Sequence, residues 1–216
     1  MVQLRRAGLV ADKEDVERLR VQFANAHVVR LPALLEPQLL SQALYLIERG
    51  NWRERERAGF YRESVLDTGP AVNLLRFVSN SPKFLEVIGE ITATHPLTWF
   101  DGRVYRMKPS GDHTQNWHED SIEGRLIGLS LNLSPRGYAG GLFQMRDAKS
   151  HRMLLEIANT GLGDAFLFRV SDDFQHHVTD VLPDEPKTAY AGWFSAQKSL
   201  KERLSKPIDQ SAPPLA

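Results

Sequence analysis

From residue 97 onward, short runs of alternating apolar and polar residues are separated by turn sequences at regular spacing. Successive side chains of a strand point to opposite faces, and the segment from 125 to 133 follows that rule. One of its faces carries four branched apolar residues: Ile127, Leu129, Leu131 and Leu133. The intervening sequences, such as SPRGYAGG and NTGLGD, are rich in the Gly, Pro, Asn and Asp of turns. This pattern predicts a β-sandwich or a small barrel.

The strands predicted in this half follow from the alternating runs. They cover residues 103–107, 125–133, 142–146, 152–157, 165–169, 176–181 and 187–194. Asp101-Gly102 has the composition of a two-residue hairpin turn, so we predict a turn immediately before the first of these strands.

The first 96 residues show helical spacing of apolar residues instead. Helices are predicted at 12–22, 36–49, 71–78 and 83–91, with one short strand at 27–31. The run RERER at 53–57 is interpreted as a solvated face and not as a nucleic-acid site. We therefore expect an α+β chain in which a helical region, residues 1–96, supports a strand-rich core, residues 97–204, within one structural domain. The tail at 205–216 is predicted to be disordered.

The composition limits the chemistry. The chain contains no cysteine, which excludes disulfides, thiolate zinc sites, iron–sulfur clusters and a cysteine nucleophile. A protein-bound metal must therefore use His, Asp or Glu. The 27 Lys and Arg residues balance the 27 Asp and Glu residues, so no net charge attracts nucleic acid or anionic lipid. With no secretory leader and no run of about 18 apolar residues, we expect a cytoplasmic protein.

Two segments of the strand-rich half carry candidate metal ligands. In an extended segment His118 and Asp120 point to the same side, so an imidazole nitrogen and a carboxylate oxygen can bind one ion. His176 and His177 begin a later predicted strand. Two histidines and one carboxylate form the facial triad that binds non-haem Fe(II) and leaves other coordination positions open. Each segment alone also fits a structural role, the first as a surface turn and the second as a packed histidine.

Lys187 begins the next predicted strand, in which Lys187, Ala189 and Ala191 share one face. An ammonium group that faces the interior of a barrel needs an anion, so an inward Lys187 predicts a bound carboxylate. An exposed position at the end of the strand is the alternative.

Taken in order, these motifs resemble the core of a known enzyme family. HxD at His118 and Asp120, then Gly140-Gly141, GDAFLF, HHVTDV and KTAYAGWF, are similar to the 2-oxoglutarate and Fe(II)-dependent oxygenases, in the prolyl-4-hydroxylase-like branch. The resemblance covers roughly residues 99 to 194. It implies a double-stranded β-helix, a jelly-roll or cupin-like barrel, with an N-terminal helical layer packed against it.

The resemblance also implies the cofactors and the ligands. Fe(II), O2 and the cosubstrate 2-oxoglutarate are expected, with His118 and Asp120 as iron ligands. Two neighbouring residues are candidates for the third iron ligand. The family pattern H-x-V-x-x-V matches His176 and favours it, whereas counting ten residues back from the basic residue gives His177.

In the family, the basic residue after the third ligand binds the distal carboxylate of 2-oxoglutarate, a role that falls here on Lys187. Lysine stands where most of this branch has arginine, which keeps the charge without the bidentate geometry. Ala189 replaces a serine that is usual in the family, so Thr188 or Tyr105 is the expected source of a hydroxyl for the cosubstrate.

The expected reaction is hydroxylation of a C–H bond in a small molecule, an amino acid or a peptide side chain, with succinate and CO2 as coproducts. No nucleic-acid or membrane partner is expected. Six residues are candidates for substrate contact if they face the mouth of the barrel: Tyr105, Met107, Trp117, Arg103, Arg146 and Arg169.

Two other functions remain compatible with these residues. One is a cupin-like metal enzyme that uses His118 and His176 without 2-oxoglutarate. The other is a non-catalytic barrel that binds a ligand. The first predicts indifference to Lys187, and the second predicts that no metal is retained.

Overall fold

The computed structural model describes residues 1–58, 61–94, 96–109, 113–121, 124–159, 161–183 and 185–196. The tail predicted at 205–216 lies outside these residues. The helices are α1 (Lys13–Ala26), α2 (Pro37–Glu48), α3 (Pro70–Ser79) and α4 (Pro82–Thr92). The strands are β1 (Val2–Arg5), β2 (Gly8–Ala11), β3 (Val28–Leu31), β4 (Trp52–Arg57), β5 (Tyr61–Leu66), β6 (Trp99–Met107), β7 (Arg125–Asn132), β8 (Phe143–Asp147), β9 (Met153–Ile157), β10 (Ala165–Arg169), β11 (Phe174–Val178) and β12 (Lys187–Ser195).

The strands form three sheets. The large sheet has seven strands in the order β3-β10-β7-β12-β6-β5-β4, and the small sheet has three in the order β11-β8-β9. β1 and β2 form a separate pair, and the paired strands of all three sheets are antiparallel. The α+β class is thereby confirmed.

Side chains of the helices pack against side chains on one face of the large sheet. The side chain of Asp12 caps α1 by accepting hydrogen bonds from the backbone N–H groups of Glu14 and Asp15. The apolar faces of α1 to α4 join one core cluster with residues of the large sheet. In that cluster Phe84 of α4 meets Phe194 of β12 edge to face, with ring centroids 5.9 Å apart. Each large apolar side chain buried there contributes about 1.5–3 kcal/mol.

The small sheet packs on the opposite face of the large sheet. Phe143 of β8 contacts Phe166 and Phe168 of β10, with ring centroids 4.8 Å and 4.7 Å apart. Side chains of both sheets therefore meet in the space between them.

The first 96 residues contain five strands as well as the four helices, which differs from the helical region that we expected. β4 and β5 extend the large sheet beyond β6, and β3 pairs with β10 at its other edge. Strands from both sides of residue 97 thus share one sheet. The sequence analysis did not predict β4. Its residues alternate between positive and negative charge, whereas strands were recognised by the alternation of apolar and polar residues.

The predicted turn at Asp101-Gly102 is wrong, because both residues lie inside β6. Gly102 pairs with Gly192 of β12. A Cβ atom at residue 102 would overlap the rings of Phe100 and Tyr190, which pack against each other across this pair. Close packing, and not a turn, accounts for the glycine.

Among the described residues, no helix combines the length and the apolar character needed to cross a membrane.

Candidate metal centre

A single antiparallel bridge between two distant segments brings the candidate ligands together. His118 lies directly opposite His176 of β11, and their backbones exchange two hydrogen bonds of 3.1 Å and 3.0 Å. The two imidazole rings consequently lie side by side, with centroids 4.4 Å apart. Asp120 follows two residues after His118 and points toward the same place.

The donor atoms converge. Oδ2 of Asp120 lies 3.1 Å from Nε2 of His176 and 3.8 Å from Nε2 of His118, and one ligand atom from each residue lies within 4.8 Å of the others. Two ligand atoms about 2.1 Å from one ion and at a right angle to each other lie about 3 Å apart. The three side chains, which we call the triad, are therefore spaced as for a single ion.

The hydrogen bond of His118 leaves the metal-facing nitrogen free. Its Nδ1 lies 2.7 Å from the carbonyl oxygen of Asn116, which can only accept, so Nδ1 carries the proton and Nε2 keeps its lone pair. Burial, assisted by the neighbouring His176, lowers the pKa of His118 and favours the neutral imidazole that binds metals.

Asp120 is held by two further side chains. The indole N–H of Trp193 donates to Oδ2 at 2.7 Å, and the guanidinium of Arg125 lies 3.6 Å from Oδ1. Arg125 also stacks over the Trp193 ring at 3.7 Å. Burial opposes ionisation of Asp120, but the hydrogen bond and charge of His176, with help from His118 and Trp193, lower its pKa to about 2. The carboxylate is therefore charged at neutral pH.

The structure brings His176, and not His177, to His118 and Asp120. Alternation along β11 points His177 to the other face, where Nε2 bonds Oε1 of Gln144 at 2.7 Å and the ring stacks on Trp117 at 4.0 Å. His176 is enclosed by Phe143 and Phe168, at centroid distances of 5.5 Å and 4.8 Å.

Lys187 faces the interior. Its side chain is 3% exposed, and its Nζ donates to the carbonyl oxygen of Gly141 at 2.7 Å. Within the described residues no carboxylate forms an ion pair with it. Burial alone lowers the pKa of Lys187 to about 7. The structure thus places the Lys187 side chain in the interior, as the sequence predicted for a lysine that faces inward.

The two hydroxyl candidates lie on different faces of the large sheet. Tyr105 belongs to the buried cluster between the sheets, with Met107, Tyr138 and Ala189, and burial raises its pKa. Thr188 points to the opposite side of β12 from Lys187, and its Oγ1 accepts from Nε of Arg106 at 3.1 Å. The structure does not bring the Thr188 hydroxyl to the Lys187 face.

A cavity of about 490 Å³ opens in front of the triad. Its wall includes Tyr105, Trp193 and six arginines, Arg53, Arg55, Arg57, Arg76, Arg103 and Arg125. The sequence reasoning missed Trp193 and the β4 arginines. Trp193 lies 73 positions from Asp120, and no local pattern reports that contact. For β4 the signal was present, as strict alternation of arginine and glutamate.

The other substrate candidates are distributed unevenly. Arg103 and Tyr105 line the cavity, while Met107 packs in the cluster around Lys187. Arg146 stacks on Trp117 and bonds Gln175, and Arg169 lies over the ring of Phe23. Arg146, Trp117 and Arg169 therefore make packing contacts and do not line the cavity.

No protein-family model matches the chain, and no curated protein matches it in sequence.

Solved structures do match. An oxidoreductase of the 2OG-Fe(II) oxygenase family from Burkholderia pseudomallei superposes with a TM-score of 0.66 at 14% identity, covering 92% of this chain and 98% of that one. A Trichoplax adhaerens prolyl hydroxylase in complex with a hypoxia inducible factor peptide gives 0.61 at 14% identity, covering 92% and 99%. The epimerase SnoN from nogalamycin biosynthesis, in complex with Fe3+, alpha ketoglutarate and nogalamycin RO, gives 0.63 at 14% identity, covering 95% and 94%.

These neighbours confirm the resemblance inferred from the sequence motifs, at the level of the fold. The chain therefore has the fold of the 2-oxoglutarate and Fe(II)-dependent oxygenases.

Proposed function

We propose that this protein is a non-haem Fe(II)- and 2-oxoglutarate-dependent dioxygenase that hydroxylates a C–H bond of a small molecule, amino acid or peptide side chain. The single observation that carries the proposal is the convergence of His118, Asp120 and His176 on one point beside a cavity. In the double-stranded β-helix fold, two histidines and one carboxylate are the donor set suited to Fe(II).

The triad fits the metal in chemistry as well as in spacing. His118 and His176 would hold Fe(II) through their Nε2 atoms and Asp120 through Oδ2, and a facial set of three ligands leaves coordination positions open. When bound there, Fe(II) would supply the reaction of O2 with 2-oxoglutarate, in which one oxygen atom enters succinate as CO2 is released and the other enters the substrate as a hydroxyl group.

Lys187 would bind the distal carboxylate of 2-oxoglutarate. Its ammonium is enclosed by apolar and aromatic side chains, among them Tyr138 at 5.9 Å, so an anion arriving there meets a cation that water does not screen. Tyr105 lies in the same cluster and is the remaining candidate for a hydroxyl contact to the cosubstrate.

The protein's own contribution is orientation and the exclusion of water. The Trp193 N–H holds Asp120 with Oδ2 turned toward the two imidazoles. The rings of Phe143 and Phe168 pack against His176. A fixed donor set in a mostly buried position would limit side reactions of the proposed chemistry.

The test is anaerobic addition of Fe(II) and 2-oxoglutarate, followed by absorption in the visible range. A metal-to-ligand charge-transfer band is expected in the wild type and is expected to vanish in Asp120→Ala. Absence of the band in the wild-type protein contradicts the proposal. Metal binding without any response to 2-oxoglutarate points instead to a cupin-like metal enzyme, and failure to retain metal points to a ligand-binding barrel.

A further inference from the structure

We propose that an extended segment of a partner protein binds along the free edge of β3 and adds a strand to the large sheet. The site is a groove of about 930 Å³ between α1, β3 and β9. Its lining includes residues 28–33, Leu19 and Gln22 of α1, and Leu155 and Ile157 of β9, and we call it the edge groove. None of the described residues lines both the edge groove and the cavity at the triad, so this inference is independent of the proposed function.

The edge groove follows the strand and not one of its faces. β3 is the last strand at one end of the large sheet, and β9 is the last strand at one end of the small sheet. The guanidinium of Arg30 donates to the carbonyl oxygen of Ala158, directly after β9, at 3.0 Å, so the two edges lie on the same side of the molecule. Side chains of residues 28–33 alternate between two faces, yet all six residues line the groove. The groove therefore runs along the free edge of β3.

The backbone of β3 offers hydrogen-bonding groups to the edge groove. The N–H of Arg169 donates to the carbonyl oxygen of His27, and this pair sets the phase of the antiparallel ladder with β10. In such a ladder alternate residues bond the partner strand, and the residues between them point outward. Val28 and Arg30 are therefore the outward residues, and no other described residue bonds their N–H or C=O groups. Their spacing of about 6.6 Å suits a second extended chain.

The walls of the edge groove are apolar on both faces of β3. Leu19, Val29 and Leu31 belong to the core cluster under the helices. Ile157 and Leu155 belong to the cluster between the two sheets. Side chains of an added strand alternate between the same two faces, so apolar residues at successive positions of the partner would be buried.

The charges at the edge groove favour one acidic residue in the partner. Asp15 pairs with Arg18 and with the N-terminal amino group, and Glu156 accepts a hydrogen bond on the outer face of the small sheet. Arg30 differs, because its partner is a carbonyl oxygen and it forms an ion pair with none of the described carboxylates. A carboxylate opposite Arg30 on the added strand would complete an ion pair.

The walls also determine which kind of partner fits. Two copies of this chain could pair here only if their β3 edges approached to about 4.8 Å. Each β3 edge lies between its own α1 and β9, so these elements of the two copies would meet first. A single extended segment carries no such walls, and it can enter the edge groove.

The experiment uses a seven-residue test peptide, acetylated and amidated, with aspartate at the centre, two valines on each side and a threonine at each end. Fluorescence anisotropy of the labelled peptide is followed as the full chain is added. Saturable binding with a Kd below about 1 mM is expected. Asparagine in place of the aspartate should weaken binding about fivefold, because the ion pair with Arg30 is lost.

Methylation of peptide nitrogens tests the strand geometry. With the aspartate opposite Arg30, the N–H groups of the second and sixth peptide residues face β3, and those of the third and fifth face away. Methylation at the second and sixth residues should weaken binding about tenfold or more. Methylation at the third and fifth residues is the matched control and should leave the affinity unchanged.

Variants of the protein locate the acidic residue of the peptide. In Arg30→Gln, the aspartate and asparagine peptides should bind equally. Arg20→Gln on α1, whose side chain pairs with Glu17 outside the edge groove, is the matched control and should keep the fivefold preference. An unchanged preference in Arg30→Gln would contradict the assigned ion pair.

Four results would overturn the inference as a whole. Two concern the test peptide: no saturable binding up to about 2 mM, or equal weakening by both pairs of methyl groups. A dimer in sedimentation that excludes the peptide would assign the edge to a second copy. A synthetic peptide of residues 197–216 that displaces the labelled peptide at lower concentration than the unlabelled test peptide would assign the groove to the chain's own C-terminal segment.

Discussion

The triad and Lys187 are two buried charged regions of the molecule, and they differ in how their charge is balanced. Asp120 receives a hydrogen bond from Trp193 and lies beside two imidazoles and Arg125, and its pKa is lowered. Lys187 has one carbonyl oxygen as its hydrogen-bond partner, and its pKa is lowered too. For an acid a lowered pKa means that the charge is stabilised, whereas for a lysine it means that the charge is disfavoured.

The two regions differ in whether the folded protein itself supplies partners for the buried charge. The carboxylate of Asp120 has its partners inside the protein, so its charge persists without a ligand. Lys187 has apolar neighbours and one carbonyl oxygen as partner, and under the proposed function its charge would be stabilised by the carboxylate of 2-oxoglutarate. If Lys187 binds the cosubstrate as proposed, its burial without an anion lowers the stability of the ligand-free protein and favours binding of the ligand.

The largest effect is expected at the triad. His176→Ala removes one of three proposed ligands, and we expect iron affinity to fall by more than about 100-fold, as measured by metal titration and by the charge-transfer band. His177→Ala, one residue along the same strand, is the matched variant and should retain iron. Retained iron in His176→Ala would remove His176 from the ligand set.

We expect Lys187→Met to weaken 2-oxoglutarate binding and to stabilise the ligand-free protein. Without the ammonium, 2-oxoglutarate affinity should fall by about 100-fold, which isothermal calorimetry with Mn²⁺-loaded protein can measure. The ligand-free protein should gain several degrees in its unfolding midpoint, because a buried cation with no anion is replaced by an apolar chain. A lower midpoint would show that the Gly141 hydrogen bond outweighs the cost of burial.

The pH dependence of 2-oxoglutarate binding tests the charge state of Lys187. Only the protonated Lys187 attracts the carboxylate, so affinity should be level below the pKa of about 7 and fall about tenfold per pH unit above it. The unfolded chain retains the proton to higher pH, so this group makes the ligand-free protein more stable as pH rises above 7. In Lys187→Arg the guanidinium stays charged, and calorimetry from pH 7 to 9 should give a flat affinity.

The smallest effect is expected at Trp193. Trp193→Phe keeps the ring but removes the N–H donor to Asp120, and we expect metal affinity to fall by about tenfold with the unfolding midpoint nearly unchanged. Trp52→Phe, whose ring contacts Arg106, is the control. Equal metal affinities in Trp193→Phe and wild type would mean that Arg125 alone can orient the carboxylate.

Local periodicity was enough to anticipate some of the site. The His118–Asp120 spacing and the inward face of Lys187 follow from alternation along an extended chain, and the order of motifs pointed to the fold. The choice between His176 and His177 depends on which residue of β11 lies opposite His118, a register that is set by packing of distant strands.

Contacts between distant segments explain what the sequence left out. The dipeptide Asp101-Gly102 has the composition of a turn. The glycine is in fact required inside a strand, because the rings of Phe100 and Tyr190 leave no room for a Cβ atom at residue 102. The role of Trp193 depends on its hydrogen bond to Asp120, which lies 73 positions away in the sequence. Neither relation has a signature within a short window of sequence.

β4 is the last strand at one edge of the large sheet, and this position gives its charged residues a further role. An outermost strand presents free backbone groups, and another chain can add to it unless charged side chains prevent the approach. The alternating arginines and glutamates of β4 supply that protection. Replacing these arginines with neutral residues would therefore make the protein more prone to self-association.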